Sequence, residues 1–235
     1  MEVIILAGGL GTRLRSAIGN EIPKCMAPVG DKPFLWYLLK YLCRYDVTRV
    51  VFSVGHLRDI IIDWLDQSSE AYPFGIDYYV ETEPLGTGGG IKQALGKCNE
   101  DNVVVLNGDT FFDVDLDIFF ATHKLTPSSV SLALKPMTLF ERYGRVLIDT
   151  VSHEIKAFQE KQYCEEGLIN GGIYAINRNR VAWLEKAKFS FETDVLEKTV
   201  DTGNIYGFDY NAYFIDIGIP EDYERACREL PPMFQ

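Results

Sequence analysis

Short apolar runs alternate with amphipathic segments along the first half of the chain. The apolar runs are rich in valine and isoleucine and end in glycine, asparagine or an acid, which is typical of buried parallel strands with ligand loops at their carboxyl ends. They are "VIILAGG" (3–9), "RVVFSVG" (49–55), "IDYYVE" (76–81) and "NVVVLNGD" (102–109). We therefore expect a parallel sheet whose loops carry the function.

The segments between these runs have helical periodicity. In "FLWYLLKYLCRYD" leucines recur on one helical face, and "RDIIIDWLDQ" and "GGIKQALGK" have a similar pattern. This alternation predicts an α/β fold with a Rossmann-like, doubly wound, mostly parallel mixed sheet flanked by helices. Later segments are richer in strands: "SVSLALK", "GRVLID", "IKAFQEK", "LINGGIYAI" and "AYFIDIG". Helices are expected over Glu192–Val200 and Pro220–Glu229.

Composition narrows the class of protein. The 235 residues are 47% hydrophobic and 24% charged, as in soluble globular proteins. The chain contains no long apolar run, and Met1-Glu2 leads directly into a strand, so we expect neither membrane span nor signal peptide and place the protein in the cytoplasm. Its net charge of −11 disfavours nucleic acid and membranes as partners. The five scattered cysteines predict reduced thiols, not disulfides or a zinc site.

A glycine-rich loop follows the first strand in "LAGGLGTRL" (6–14). Its backbone amides can point at phosphates, and Thr12 and Arg13 add side-chain donors. The loop lacks the Lys-Ser/Thr of a Walker A motif, and Leu14 stands where a dinucleotide fingerprint needs glycine. Arg13 favours phosphate binding over a purely structural turn. Ten residues beyond the glycines, Lys24 lies between prolines that stiffen its loop.

The motif "LAGGLGTRL" with "PK" resembles the signature of the sugar-phosphate nucleotidylyltransferases, also called nucleotide-sugar pyrophosphorylases. Further segments similar to that family follow in order: "PLGTGGG", "LNGDTFF", "FQEK", "INGGIY" and "FIDIGIPEDY". The resemblance implies transfer of a nucleotidyl group from a nucleoside triphosphate to a sugar 1-phosphate. It also implies one domain over residues 1–235, with a nucleotide-binding half (about 1–125) and a sugar-binding half (about 126–235). We expect no C-terminal β-helix, since the chain ends at Gln235.

The resemblance also implies which residues form the site. Arg13 and Lys24 are the expected catalytic cations, and Asp109 and Asp216 are expected to hold Mg²⁺ from opposite sides. The expected nucleotide-binding residues are Leu6, Ala7, Gly8, Gly9, Gly11, Thr12, Arg13, Glu81, Gly86, Thr87, Gly88 and Asn107. Those expected at the sugar phosphate are Gly108, Gly144, Glu160, Lys161, Asn170 and Gly172.

Glu81 is the candidate reader of the base. Relatives that use UTP or dTTP commonly carry Gln at the matching position, and an amide suits a base that offers one donor and one acceptor. An ionised carboxylate only accepts, so it suits the two adjacent donors of guanine in a bidentate pair. Glu83 lies two residues away and can exchange roles with Glu81. The structural alternative is a charge at the entry of the following helix.

The expected partners are therefore GTP and a sugar 1-phosphate, with homo-oligomerisation left open. "LNGDTFFDVDL" and "GLINGGIY" are most similar to members of the family that act on D-glycero-α-D-manno-heptose 1-phosphate. Mannose 1-phosphate is the alternative sugar, and uridylyl or thymidylyl transfer is the alternative reaction. The interpretation of "DVD" as the metal-binding motif of a glycosyltransferase is disfavoured, because such an enzyme would not need the glycine loop and Lys24. A non-catalytic sensor would be expected to lose Arg13, Lys24 or a metal aspartate.

Overall fold

A nine-stranded sheet forms the centre of the protein in the computed structural model. The structure describes residues 1–9, 12–181, 183, 185–202 and 204–234. The strands are β1 (Glu2–Leu6), β2 (Pro28–Val29), β3 (Lys32–Pro33), β4 (Arg49–Val54), β5 (Gly75–Val80), β6 (Asn102–Asn107), β7 (Thr110–Phe112), β8 (Val130–Phe140), β9 (Arg145–Ile148), β10 (Ile155–Phe158), β11 (Cys164–Asn177), β12 (Ile205–Asp209) and β13 (Phe214–Asp216). The α-helices are α1 (Arg15–Ile18), α2 (Phe34–Leu42), α3 (Arg58–Gln67), α4 (Gly86–Leu95), α5 (Leu116–Leu125), α6 (Glu197–Thr199) and α7 (Pro220–Met233).

The amino-terminal half of the sheet is parallel and covered on both faces. Strand β1 pairs in parallel with β4 and β6, and β4 pairs in parallel with β5. Val3 and Ile5 pack into a core with α2 and α7, whereas Ile4 packs into a second core with α4. Successive strand residues point to opposite faces, so burial of all three requires helices on both sides. The predicted doubly wound arrangement is confirmed.

Antiparallel strands complete the sheet. The long strand β11 pairs antiparallel with β6, β8 and β9, and β12 pairs in parallel with β8. The predicted mixed sheet is thus confirmed as well. Strand β13 pairs with β7 in a separate two-stranded sheet, and this pairing sets Asp216 opposite Thr110. Two segments far apart in the chain therefore meet beside the carboxyl end of β6.

Three segments differ from the sequence predictions. Helix α4 begins at Gly86, three residues before the predicted helical segment "GGIKQALGK". The predicted helix over Glu192–Val200 is divided into a π-helical turn (Glu192–Leu196), α6 and the start of a 3₁₀ turn. Strand β12 was not predicted, because "IYGFD" combines a glycine and an acid in a short run. Among the described residues, no helix has the length and apolar character needed to cross a bilayer.

A buried histidine lies on α5, outside the lining of the cleft described below. His123 is 1% exposed, and its Nδ1 lies 2.8 Å from Ser131 Oγ and 2.9 Å from Ser128 Oγ. The other ring nitrogen, Nε2, is buried and has no hydrogen-bond partner among the described residues. Burial, with a smaller contribution from the charge of Arg180, lowers the pKa of His123 to about 4. The folded protein therefore holds this ring neutral.

We expect this ring to make stability depend on pH. Protonation of His123 in the unfolded chain begins near its ordinary pKa of 6.5, but the folded ring resists it down to about 4. The stabilisation is therefore complete above pH 6.5 and decreases by up to ~3 kcal/mol as the pH falls toward 4. Urea unfolding at several pH values measures this pH dependence of the free energy of unfolding. His123→Leu should flatten the slope in this window, and an unchanged slope would contradict the assignment.

Candidate active site

A cleft of about 370 Å³ opens at the carboxyl ends of β1 and β6. It is bounded by the loop after β1, the turn that carries Lys24, the first turn of α4 and the loop after β6. Its lining residues are Leu6, Ala7, Gly9, Arg13, Lys24, Cys25, Thr87, Asn107, Gly108, Asp109 and Gly218. Only Cys25 and Gly218 were missing from the predicted site residues, and each is adjacent or close to a predicted one.

Backbone hydrogen bonds fix the strand ends that form the floor of the cleft. The Gly108 amide donates to the Leu6 carbonyl at 3.0 Å, which ties the loop after β6 to β1. The Ala7 amide donates to the Ser53 carbonyl at 2.8 Å, which ties the loop after β1 to β4. The glycine loop therefore starts from a rigid part of the sheet.

The second part of the glycine loop is a short 3₁₀ turn over Thr12–Leu14. Leu14 is completely buried, whereas Arg13 is exposed and lines the cleft. Burial of Leu14 anchors the turn while the neighbouring guanidinium stays accessible to a ligand. Gly11 lies outside the described residues, and for Thr12 only the backbone is described.

Lys24 lies between the two predicted metal ligands. Its Nζ donates to Asp109 Oδ2 at 2.5 Å and lies 3.4 Å from Asp216 Oδ1. The two carboxylates meet because β13 pairs with β7, and the Ile217 amide donates to the Asp109 carbonyl at 3.0 Å. The Lys24 side chain is only 11% exposed, so its charge is largely shielded from water. The structure thus places one cation between two carboxylates that face a common point.

Burial and neighbouring charges shift the pKa values of two residues in this cluster. Burial raises the pKa of Asp216, repulsion from Asp109 raises it further, and Lys24 opposes both effects. Burial, and then the charge of Asp109, raises the pKa of the Cys25 thiol to about 12. Cys25 is therefore protonated at neutral pH and unsuited to act as a nucleophile. Among the described residues, no group of three or more acids, histidines and cysteines gathers to form a metal site.

Glu81 lies under the glycine loop and not in the cleft lining. Its Oε1 accepts from Ser53 Oγ at 3.0 Å, and its Oε2 accepts from the Leu85 amide at 3.1 Å. A Cβ at Gly8 would lie 2.8 Å from Oε1, so only glycine leaves room for the carboxylate. The Leu85 contact agrees with the helix-entry alternative, although a carboxylate oxygen can accept more than one hydrogen bond. Glu83 is exposed.

The first turn of α4 packs against the segment around Phe189. Gly86 has a φ of +73°, and a Cβ there would lie 2.5 Å from the Phe189 carbonyl oxygen. The Gly88 amide donates to that same carbonyl at 3.0 Å. The glycines therefore allow close packing between two chain segments, and the Gly88 amide is already satisfied within the protein.

A polar network that the sequence did not predict joins Thr87, predicted at the nucleotide, to Asn170, predicted at the sugar phosphate. Thr87 Oγ1 donates to Glu192 Oε2 at 2.6 Å, and Tyr174 OH donates to Glu192 Oε1 at 3.3 Å. Asn170 Nδ2 in turn donates to Tyr174 OH at 2.8 Å. Sequence signals marked Glu192 only as the start of a helix, so nothing local indicated its contact with Thr87.

Asn170 and Gly172 lie at a bulge in β11, next to the cleft. The register with β8 shifts between Asn170 and Ile173, and Gly172 has a φ of +73°. The Gly172 amide donates to Asn170 Oδ1 at 3.0 Å. A Cβ at Gly172 would lie 2.9 Å from Asn107 Nδ2, so the bulge directly contacts a residue that lines the cleft.

The remaining residues predicted at the sugar phosphate are not part of the described lining of the cleft. Glu160 and Lys161 are exposed and outside the described lining of the cleft. A Cβ at Gly144 would lie 2.7 Å from the Gln159 carbonyl oxygen, so glycine is required there by strand packing whether or not a sugar binds. Gly144 directly precedes β9, and Glu160 and Lys161 follow β10.

Comparison with known proteins decides the family. The model of the family described as "Nucleotidyl transferase" matches residues 2–231. The chain belongs to the nucleotidyl transferase family. The predicted fold and the predicted class of enzyme are confirmed.

Individual members of the nucleotidyl transferase family are similar over nearly the whole chain. The chain is 48% identical over 234 residues to the D-glycero-α-D-manno-heptose 1-phosphate guanylyltransferase of Aneurinibacillus thermoaerophilus, covering 98% of each chain. It is 44% identical over 226 residues to the protein of the same name from Campylobacter jejuni, covering 95% of this chain and 97% of that one. The crystal structure of HddC from Yersinia pseudotuberculosis complexed with GMP-PN matches with a TM-score of 0.86 at 38% identity, covering 97% of this chain and 98% of that one.

Proposed function

We propose that this nucleotidyl transferase transfers GMP from GTP to D-glycero-α-D-manno-heptose 1-phosphate, giving GDP-heptose and pyrophosphate. The product is an activated sugar for glycan assembly, and we place the reaction in the cytoplasm, the compartment that supplies GTP. The observation that carries the proposal is the Lys24 ammonium between Asp109 and Asp216, in the cleft that also contains the glycine loop. The similarity to heptose 1-phosphate guanylyltransferases supports the choice of substrates.

The proposed reaction is an in-line displacement at phosphorus. An oxygen of the sugar 1-phosphate attacks the α-phosphorus of GTP, and the bond from that phosphorus to the bridging oxygen breaks as pyrophosphate leaves. The nucleophile is already ionised near neutral pH, so no side-chain base is required. Catalysis then depends on charge neutralisation and positioning. Arg13 is suited to the triphosphate because its fork can bridge phosphoryl oxygens, and Lys24 supplies a point charge deeper in the cleft.

The two aspartates fit a divalent metal that is completed by its substrates. Nucleotidyl transferases generally use such a metal, and we propose Mg²⁺ held by Asp109 and Asp216. Mg²⁺ commonly takes one or two carboxylates and fills its other positions with phosphate oxygens and water. Two carboxylates that share the Lys24 ammonium match that donor set. When bound, the ion would neutralise phosphate charge in the transition state.

Base and sugar recognition rest on different parts of the site. For guanine we propose Glu81, whose second acceptor positions suit the two adjacent donors of that base. For the heptose we propose the bulge at Asn170 and Gly172, which adjoins Asn107 in the cleft. Gly144, Glu160 and Lys161 are proposed to complete the sugar phosphate site.

Pyrophosphate release tests the proposal. The protein with Mg²⁺ is assayed with GTP, UTP, dTTP, CTP and ATP, each paired with the heptose 1-phosphate and with mannose 1-phosphate. GTP with the heptose should exceed the other pairs by ~10-fold or more in kcat/KM. GTP with mannose 1-phosphate as the preferred pair would reject the heptose assignment alone. A preference for UTP or dTTP would reject guanylyl transfer.

Glu81→Gln should lower kcat/KM for GTP by ~100-fold and reduce the preference for GTP over UTP. An amide presents one acceptor atom where the carboxylate presents two, so the bidentate pair with guanine is lost. Glu83→Gln is the matched control and should keep GTP kinetics within about threefold of the original. Thermal unfolding of both variants separates loss of the Leu85 contact from loss of base recognition. Unchanged GTP kinetics in Glu81→Gln would move base reading to Glu83 or to the backbone.

A further inference from the structure

Asp222 is a buried carboxylate that links the turn between β8 and β9 to the β13–α7 region. It lies in the first turn of α7 and is 8% exposed. Its Oδ2 accepts from Arg142 Nη2 at 2.6 Å, and its Oδ1 lies 3.4 Å from Arg225 Nη1. A buried carboxylate with two arginine partners is well compensated, and removing the carboxylate would deprive both guanidinium groups of their shared partner.

Arg142 ties this carboxylate to the turn between β8 and β9. The turn comprises residues 141–144 and ends at Gly144, one of the residues proposed at the sugar phosphate. Next to Arg142, the Tyr143 ring packs edge-on against Phe214 with a centroid distance of 6.1 Å. The turn is therefore held by one ion pair and one aromatic contact, both to the β13–α7 region.

Arg225 ties the same carboxylate to the strand that carries Asp216. Its Nη2 donates to the Phe214 carbonyl at 3.1 Å, two residues before Asp216. The guanidinium thus spans from the Asp222 carboxylate to the backbone of β13. A displacement of Asp222 would therefore also displace the turn at 141–144 and β13.

We propose that Asp222 is a positioning residue for the sugar 1-phosphate. Through Arg142 it holds the 141–144 turn, and through Arg225 it holds β13, so that both sides of the sugar phosphate site keep a fixed separation. The inference rests on the proposed function, since it assigns the sugar 1-phosphate to this side of the cleft. Asp222 itself is not among the residues that line the described cleft, so it acts through its arginine partners.

The variants Asp222→Asn and Arg142→Gln test this role. Each should raise KM for the sugar 1-phosphate by ~10-fold while KM for GTP changes by no more than about twofold. The double variant should be no worse than Asp222→Asn alone, because that substitution already removes the ion pair with Arg142. Arg142→Lys keeps the charge and should recover part of the loss. Hydrogen exchange of the free protein should be faster at 141–144 in both single variants.

Glu2→Gln is the control for a loss of stability alone. Glu2 is 3% exposed and pairs with Arg49 at 3.6 Å, but it lies at the amino end of β1, the edge opposite the cleft. This variant should lower stability and leave KM for the sugar unchanged. An unchanged sugar KM in Asp222→Asn, or equal rises in both KM values, would overturn the inference. Unaltered exchange at 141–144 would overturn it independently, whereas a parent protein inactive on every sugar phosphate would instead contradict the proposed function.

Discussion

Asp109→Asn should reduce guanylyl transfer by ~1,000-fold or more, because it removes one of two carboxylates proposed to hold the metal. The substitution is nearly isosteric, so the fold should persist. Stability should change little, because loss of the Asp109 charge relieves its repulsion of Asp216 but also removes the ion pair with Lys24. Steady-state kinetics with Mg²⁺, together with calorimetric unfolding, separates the two effects. Asp216→Asn should behave in the same way.

Asp113→Asn is the matched control for this prediction. Asp113 lies four residues beyond Asp109 on the same segment, but it pairs with Arg44 at 2.8 Å outside the described cleft. Its replacement should leave kcat/KM within about twofold of the original, because an exposed ion pair contributes little. Full activity in Asp109→Asn would remove the metal role from this residue. An equal loss in Asp113→Asn would show that the assay reports structural damage and not loss of a ligand.

The parallel half of the fold could be predicted because burial on both faces leaves a strong mark on the sequence. Strands such as β1 and β6 are continuous apolar runs, and α2 has one fully apolar face. The edge strand β12 left no such mark, since it is stabilised by pairing with β8 and by the close fit of Gly207 against Leu134. Glycine weakens a strand signal even where tertiary packing requires it.

The glycines at the start of α4 show how tertiary contacts override local propensity. Glycine is a poor helix former, so the sequence pattern predicts this helix only from Gly89 onward and not over 86–88. In the structure these residues begin α4 because the segment at Ala187–Phe191 packs so closely that side chains would collide with it. That segment is about a hundred residues away in the chain, and a local pattern carries no information about such a contact.

The candidate site could be predicted only in part, because a local sequence pattern carries no information about contacts between distant segments. The sequence did indicate the separate functional groups, which are a cation on a stiff loop and acids where strands end. Their mutual geometry was not, because Asp216 reaches Asp109 only through the pairing of β13 with β7. The Thr87–Glu192 hydrogen bond likewise depends on the packing of α4 against a distant turn. Contacts of this kind are fixed by the assembled fold and not by local periodicity.

Lys24→Met should change turnover and metal affinity in opposite directions. Methionine keeps the length of the side chain but removes the charge that lies 2.5 Å from Asp109 and 3.4 Å from Asp216. Turnover should fall by ~100- to 1,000-fold, because the phosphates lose a positioned cation. Without nucleotide, Mn²⁺ used as a probe should bind ~10-fold tighter, since the ammonium no longer competes for the two carboxylates.

Comparison of two further lysine variants makes the Lys24 prediction specific. Lys40→Met removes a lysine that pairs with Glu70 at 3.3 Å outside the described cleft, so both readouts should stay at the original values. Lys24→Arg keeps a charge between the carboxylates but changes its shape, so Mn²⁺ affinity without nucleotide should stay low while turnover recovers only in part. If Lys24→Met instead weakens Mn²⁺ binding, the ammonium organises the two carboxylates and does not compete for them. In that case Lys24 would act mainly by holding Asp109 and Asp216 together, and the phosphate contact would have to come from Arg13.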